Sequence, residues 1–490
     1  MKLKVFSLRF CKFASSEKIK IKTLTLITSI SGIRGTIGGK PGDGLTPDDI
    51  VQFTAAYAAW INYNSFSFNS KPRIPTIVIG RDARVSGHMV KNLVIGTLNA
   101  MGINVIDTDY STTPTVEMAV VNLKADGGII LTASHNPEEW NALKLLNNKG
   151  EFISAQEGSD ILSAACAKDY EYAEAFQVGK VTNDSSTIRK HIDAILELKE
   201  VDVDAIKNAD FRVVVDAVNS TGGIAIPMLL DKLGVSDYKT INAMPTGVFY
   251  HDPEPLPENL EEIMSIMESE KRDVGIVVDP DVDRLAFIDE NGNYFGEEYT
   301  LVAIADYWLS LHKGDTVSNL SSSRALRDIT EKHGGRYHAS AVGEVNVVAK
   351  MKEVNAVIGG EGNGGIILPA LHYGRDALVG IALFLTYMAK TNQKVSEIKA
   401  KLPHYEMHKS KINIEKIGNP DVLLDALKAA YPKSQVDTKD GVKVYFDEDK
   451  AWVHIRKSNT EPILRLYAEA PNQELIQQYV DEVKKHLKVV

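Results

Sequence analysis

Ser134 lies in the turn Thr132-Ala133-Ser134-His135-Asn136-Pro137, directly after the apolar run Gly127 to Leu131. A free serine hydroxyl is a poor nucleophile, but a phosphoserine is a phosphoryl store that reacts once it is positioned and its charge is neutralised. Downstream, Asp279-Pro280-Asp281-Val282-Asp283-Arg284 follows Gly275-Ile276-Val277-Val278. Three carboxylates at alternate positions beyond a buried strand repel one another unless a cation lies between them, and an all-oxygen set selects a hard divalent ion, Mg²⁺ first. With only three protein ligands the ion keeps a vacant position for a phosphoryl oxygen, and a phosphorylated Ser134 would complete the metal set of Ser134, Asp279, Asp281 and Asp283. A calcium loop is the competing reading, with Glu290 at its twelfth position, but Arg284 stands where that loop needs glycine. A solvated acidic turn is the plain alternative.

Two further loops carry complementary groups. Gly359 to Gly365 surrounds Glu361 and Asn363 with glycines, which suits close approach to sugar hydroxyls or, more simply, a flexible turn. Arg456, Ser458, Asn459, Thr460 and Arg465 fall within ten positions. Such a cluster can grip a phosphate with forked arginine bonds, or can be a basic surface turn. Arg34, flanked by glycines in Gly32-Ile33-Arg34-Gly35, is another candidate phosphate ligand.

The elements that must position these groups read as alternating strands and helices. At 490 residues the chain has room for several domains. The 55 basic and 65 acidic residues give a formal charge of −10, which disfavours nucleic acid or an anionic membrane as the main partner. No run reaches the ~18 apolar residues that a membrane span requires. Two cysteines, Cys11 and Cys166, are too few for a disulfide framework and suit a reducing cytoplasm. Residues 1–22, with seven basic residues and one acidic residue, read as an N-terminal extension.

A strand is expected over 23–30, an alanine-rich helix near Thr54 to Trp60, a polar loop from Asn62 to Arg73, a strand over 76–80 and a helix around Met89 to Met101. Strand-plus-turn units recur at Ile77 to Asp82, Val213 to Ser220 and Thr316 to Ser322. Each precedes, by about 40 to 60 residues, a second buried strand that ends in one of the chemically loaded loops. The expected division is 23–180, 181–292, 293–402 and 403–490. The last part reads as a small α+β unit, with strands over 442–446, 451–456 and 463–469 and a helix over 473–487.

In this order and spacing, the serine loop, the Asp279/Asp281/Asp283 loop, the Glu361 loop and the Arg456 loop resemble the four active-site segments of the α-D-phosphohexomutase family. The resemblance covers the chain from about residue 23 to the end. It implies an α/β fold of four domains around a central cleft, three of them similar with mixed sheets and the fourth a smaller α+β domain. It also implies interconversion of 6-phospho and 1-phospho hexoses through phosphorylated Ser134 and a sugar 1,6-bisphosphate, which would serve as activator, with Mg²⁺ as cofactor and a small phosphosugar as partner. The protein is then expected as a monomer or homodimer.

By the same resemblance, Arg34 joins Ser134 among the catalytic groups. Lys144, in Trp140-Asn141-Ala142-Leu143-Lys144, resembles the lysine that assists proton transfer, a role requiring a lowered pKa. His135, Arg284, Glu361 and Asn363 resemble sugar contacts, and Arg456, Ser458, Asn459, Thr460 and Arg465 the clamp on the non-reacting phosphate. Asn363 and Gly365 depart from the serine and histidine of the phosphomannomutase/phosphoglucomutase branch. Val342-Gly343-Glu344 and Ser458-Asn459-Thr460-Glu461-Pro462 are closer to the phosphoglucosamine mutase branch, so glucosamine 6-phosphate is the expected substrate. The alternatives are a phosphoglucomutase/phosphomannomutase, a phosphatase that hydrolyses the phosphoserine, and a non-catalytic sugar-phosphate-binding protein.

Overall fold

The computed structural model describes residues 25–29, 32–68, 73–413, 419–458 and 463–487. The expected extension over 1–22 lies outside them, as do Asn459 and Thr460. Strands β1 (Ile27–Ser29), β2 (Gly32–Thr36), β3 (Thr76–Arg81), β4 (Asn104–Tyr110), β5 (Gly127–Leu131), β6 (Trp140–Leu146) and β7 (Val181–Asn183) form one sheet, in the order β1-β2-β6-β5-β3-β4-β7. The second sheet, β11-β10-β8-β9, contains β8 (Arg212–Asp216), β9 (Asp237–Ile241), β10 (Val274–Val278) and β11 (Leu285–Ile288). The third, β13-β12-β14-β15, contains β12 (Thr316–Asn319), β13 (Tyr337–Ser340), β14 (Ile358–Glu361) and β15 (Gly365–Ile367).

The three sheets share one plan. A central strand pairs in parallel with the strand two before it in the chain (β5 with β3, β10 with β8, β14 with β12), and the chain then turns back antiparallel into β6, β11 or β15. The central strands β5 and β10 are fully buried runs of β-branched and small residues, as strands covered on both faces must be. Each therefore delivers its loop at the carboxyl edge of its sheet, where open α/β sheets bind ligands. The repeat expected from the spacing is thus a repeat of topology.

A fourth, antiparallel sheet is built from β16 (Glu406–Asn413), β17 (Val436–Asp437), β18 (Val442–Phe446), β19 (Ala451–Lys457) and β20 (Ile463–Ala470), in the order β16-β20-β19-β18-β17. The helix Gln473–Leu487 packs on it, with Ile476, Tyr479, Val480 and Val483 in its core.

Several details differ from the sequence reading. The first long helix spans Pro47–Phe68, so the polar stretch from Asn62 does not start as a loop. Asn62 donates to Met101 O (3.2 Å) and Ser65 to Asp126 Oδ1 (3.1 Å), tertiary bonds that outweigh modest helix propensity. β7 pairs with β4, which carries the first sheet past the expected break at 180/181. β16 and the helix Pro420–Ala430 were not anticipated. β16 alternates charged residues with half-buried ones and is specified by eight residue pairs with β20 rather than by its own pattern.

The hydrophobic cores are not one per sheet. A single cluster joins Ile188, Val213 and Ile276 of the second unit to Trp308, Leu326 and Leu383 of the third, and Phe287 stacks on Phe384 at 3.9 Å. The first and fourth units have cores of their own. At the joint between the second and third units, Leu285 N–H donates to Gly364 O (3.1 Å), and a Cβ on Gly364 would lie 2.3 Å from Leu285 O.

Gly364 also has φ +85°, which costs a residue with a Cβ about 1–2 kcal/mol. Gly38 has φ +98° but open space around it. Thermal unfolding should therefore show Gly364→Ala lowering the melting temperature clearly more than Gly38→Ala. Equal shifts would refute the close-approach reading.

Candidate active site

Ser134 holds φ +49°, a left-handed conformation uncommon outside glycine, at the tip of the loop leaving β5. Buried Arg84 fastens that loop from within. Its Nε pairs with Asp82 (3.0 Å), and its terminal nitrogens donate to the carbonyls of Ser134 (2.5 Å), Asn136 (2.6 Å), Pro137 (2.5 Å) and Trp140 (3.0 Å). Thr132 completes the frame, donating to Asp82 and accepting the Ser134 N–H at 2.9 Å. The strained turn is thus held by fixed hydrogen bonds, and the Ser134 hydroxyl is aimed at Asp279 Oδ2, to which it donates at 2.6 Å.

The acidic loop comes from the second unit and is anchored by its neighbours on either side. Thr113 N–H donates to Asp281 O (2.9 Å), Ala377 N–H to Val282 O (3.2 Å), and Ser220 and Thr221 to Pro280 O (2.7 and 2.8 Å). Val282 takes φ +60°, which turns the three aspartates toward one point. One oxygen from each lies within 4.8 Å of the others, and all three side chains are buried.

Asp279 Oδ1 accepts the N–H groups of Asp283 and Arg284, both at 3.1 Å. Asp281 Oδ2 accepts from Thr113 (2.5 Å) and Lys144 (2.7 Å), and Asp283 Oδ2 from Arg375 (2.7 Å). The Oδ1 atoms of Asp281 and Asp283 have no hydrogen-bond partner among the described residues. Buried carboxylate oxygens left over after every protein donor is used fit a hard divalent cation. Burial, then the charges of Asp283 and Asp281, push Asp279 well above the usual carboxylate range. Burial also opposes ionisation of Asp281, but Lys144 and Thr113 overcome it and hold that group low.

The expected lowering of the Lys144 pKa is not found. Burial disfavours its charge, yet Asp281 at 2.7 Å and Asp283 at 3.5 Å more than offset this and raise it. Lys144 is the counter-ion of the acidic loop. Around it the cleft is cationic. Burial and then Arg284 and Arg375 lower the Arg34 pKa, and burial with Arg284 and Arg34 lowers that of His135 well below its usual value. His135 places Nδ1 3.5 Å from Ser134 Oγ and Nε2 3.4 Å from an Arg284 terminal nitrogen, while Arg284 also reaches Glu254 at 3.2 Å. The structure therefore brings Arg34, Ser134, His135, Lys144, Asp279, Asp281, Asp283 and Arg284 together from separate units.

Glu361 is the last residue of β14 rather than part of an open loop. The turn proper is Gly362 to Gly364, and the flanking glycines admit protein. A Cβ on Gly365 would lie 2.3 Å from Arg375 Cδ. Glu361 accepts from Asn319 (2.8 Å), Gly343 N–H (3.0 Å) and Arg375 (3.2 Å), and half-buried Asn363 accepts the Gly365 N–H at 3.3 Å. Arg456 and Arg465 are direct cross-strand partners on β19 and β20, and Ser458 N–H donates to Ile463 O at 3.0 Å. Arg456 Nε lies 3.6 Å from Asp440 Oδ2, which accepts the Val342 N–H at 3.1 Å, so the fourth unit touches the segment beside Glu344.

Arg375 is the residue that sequence reasoning missed. Its Nε pairs with Glu344 (3.0 Å), one terminal nitrogen with Glu361 (3.2 Å) and the other with Asp283 (2.7 Å). One guanidinium thereby joins the glycine-rich turn to the acidic loop, using its rigid fork. The available signal was Gly374-Arg375-Asp376 standing directly before the apolar run of the helix Ala377–Thr391. Such an arginine cannot point to solvent once that helix is buried.

Comparison with known proteins gives one answer across the chain. Residues 26–172, 189–292, 296–405 and 409–486 match, in turn, the family models for phosphoglucomutase/phosphomannomutase alpha/beta/alpha domains I, II and III and the C-terminal domain. A phosphoglucomutase/phosphomannomutase of Thermococcus kodakarensis is 36% identical, over 91% of this chain and 96% of its own length. A probable phosphoglucosamine mutase of Methanopyrus kandleri is 30% identical, over 92% and 95%. A crystal structure of a Burkholderia thailandensis protein of the phosphoglucomutase/phosphomannomutase family shares the fold, with a TM-score of 0.79 at 23% identity over 95% of this chain and 97% of that one.

Removing one partner of a buried ion pair typically costs about 3–5 kcal/mol. Arg375→Met should therefore lower both the melting temperature and turnover, the latter by roughly tenfold or more, with Arg375→Lys intermediate because a point charge cannot replace the fork. Unchanged melting and kinetics in the methionine variant would show that the three carboxylates do not depend on it.

Proposed function

The chain belongs to the phosphoglucomutase/phosphomannomutase family, whose members are isomerases, and from that premise we propose that it moves a phosphoryl group between O6 and O1 of a hexose through phosphorylated Ser134. The observation that carries this reading is the Ser134 hydroxyl, from the first unit, donating at 2.6 Å to Asp279 of the second unit's acidic triad. A phosphoryl donor and a metal-binding set meet at one point although 145 residues separate them.

Asp279, Asp281 and Asp283, with an oxygen of Ser134 or of its phosphate, would hold Mg²⁺, which when bound supplies neutralising charge to the phosphoryl oxygens. The chain's own cations complete that neutralisation. Arg34, Arg284 and Lys144 surround the serine loop, and a loose phosphoryl-transfer transition state asks mainly for such positioning and charge. The P–O bond to Ser134 Oγ breaks as a bond forms to the sugar hydroxyl oxygen, whose proton ends on the departing Oγ, giving free Ser134 and a 1,6-bisphosphate. After the bisphosphate turns over, Oγ takes back the other phosphoryl group. Glu361 and Asn363 orient the sugar, while Arg456, Ser458, Asn459, Thr460 and Arg465 hold the phosphate that is not reacting.

The preferred substrate of this reading is glucosamine 6-phosphate. Glu344 and Glu361 give the glycine-rich turn an acidic side that suits a sugar ammonium. Burial, opposed by Arg375, raises Glu344 to about 7. The second reading is glucose or mannose 6-phosphate, favoured by the higher identity to the Thermococcus kodakarensis protein.

Ser134→Ala should abolish isomer formation to assay background, and mass spectrometry of the active wild type should find phosphate on Ser134. A trace of sugar 1,6-bisphosphate should restart dephosphorylated wild type but not the alanine variant. Full activity in that variant refutes the mechanism. Rates on glucosamine, glucose and mannose 6-phosphates decide the substrate, and inorganic phosphate released in excess of isomer would identify a phosphatase instead.

A further inference from the structure

Behind the active site, a second polar cluster lies where three units meet. His191, from the helix Thr187–Leu196, places Nε2 2.9 Å from Asp376 Oδ2, and His372 places its Nε2 3.3 Å from the same oxygen. The two ring nitrogens and the carboxylate oxygen all lie within 4.8 Å of one another. The rings meet edge to face at 88°, so the nitrogens converge on the carboxylate from two directions. The other oxygen of Asp376 is already used, capping the helix Ala377–Thr391 through Leu378 N–H (2.8 Å) and Val379 N–H (3.3 Å).

The outer nitrogens have partners of the kind that orient metal-bound imidazoles. His191 Nδ1 lies 2.9 Å from Thr115 Oγ1 and His372 Nδ1 lies 3.4 Å from Glu117 Oε2, both from the helix Thr113–Asn122 of the first unit. A hydroxyl or carboxylate behind a histidine fixes its tautomer and raises its basicity toward a metal. Glu117 is 1% exposed, and neither of its oxygens, nor His372 Nδ1, has a hydrogen-bond partner among the described residues. An ion on the Nε2 side would require His372 to carry its proton on Nδ1, which gives the stranded carboxylate a donor.

We propose that His191, His372 and Asp376 form a second metal site, separate from the aspartate triad, for a divalent ion of the zinc type. Two imidazoles and one carboxylate suit zinc or cobalt, whereas magnesium prefers oxygen ligands. Zinc–nitrogen bonds of about 2.0–2.1 Å set ligand atoms roughly 3.4 Å apart in a tetrahedron, so small shifts from the observed spacings accommodate the ion. Three protein donors from the second and third units, backed by two residues of the first, make it a staple. Because Asp376 follows Arg375, the ion would also fix the base of the arginine that holds Asp283.

The test uses the full-length chain with Asp281→Asn, which disables the oxygen site. Cobalt(II) titration should show one ion bound per chain, with the intense visible absorption of a low-coordinate site containing nitrogen ligands. Zinc should raise the melting temperature, because an ion that binds only the folded chain stabilises it. Adding His372→Gln should abolish both effects. No cobalt bound by the Asp281→Asn chain, or weak six-coordinate absorption that His372→Gln leaves unchanged, overturns the proposal and leaves a hydrogen-bonded network only. Elemental analysis of wild type dialysed against zinc with excess magnesium gives a reading without any substitution. One tightly held zinc per chain supports the site, and none overturns it.

Discussion

Three carboxylates buried side by side cannot all carry charge without compensation, and most of the architecture around Asp279, Asp281 and Asp283 answers that constraint. Each compensating group comes from a different unit. Lys144 arrives from β6 of the first sheet and pairs with Asp281, Arg375 arrives from the third unit and pairs with Asp283, and Arg284 of the acidic loop itself acts through its charge on Asp279. An ion pair of this kind contributes little stability beyond what its desolvation costs, but losing one partner is expensive. The docking of the units is therefore tied to the electrostatics of the site, because the charges balance only when the units are in register.

The repeated sheet plan explains how one chain brings its loops to such a point. In each of the three α/β units the central strand ends at the same edge, and the turn after it carries the chemistry. A serine in a left-handed turn, three aspartates around a left-handed valine and a glycine turn crossed by an arginine are three versions of one structural position. What differs between them is the side chains, so a single topology presents a serine, an acidic triad and a glutamate beside a glycine turn at one edge.

Much of this was legible from residue types because the loops follow runs as apolar as Gly127 to Leu131 and Gly275 to Val278, where polar residues demand a reason. The buried central strands, three strands of the fourth unit and the last helix were legible for the same cause, since their periodicity reports burial directly. Tertiary pairing was not. β16 exists because β20 offers it a full-length partner, and the helix over 47–68 continues through asparagines and serines because they bond to neighbouring elements. The charge state of Lys144 could not be read from spacing, since its neighbours Asp281 and Asp283 lie more than 130 residues away. Arg375 escaped notice because its three partners are scattered over the chain while its local context is a short glycine-containing turn.

The hydrophobic cluster shared by the second and third units has a consequence for how the chain is assembled. Each unit keeps a smaller cluster on its other face, around Ile263 and Met267 in the second and around Val347 and Met351 in the third, but the large cluster belongs to both, so the boundary near Gly292 separates two topologies that share an interior. A ribosome that has released only the second unit has made half of a common interior, and that half must wait, sticky and exposed, until the strands around Thr316 and the helix Ala377–Thr391 emerge. Modular exchange among such proteins is then expected to cut on either side of this fused pair and not between its halves.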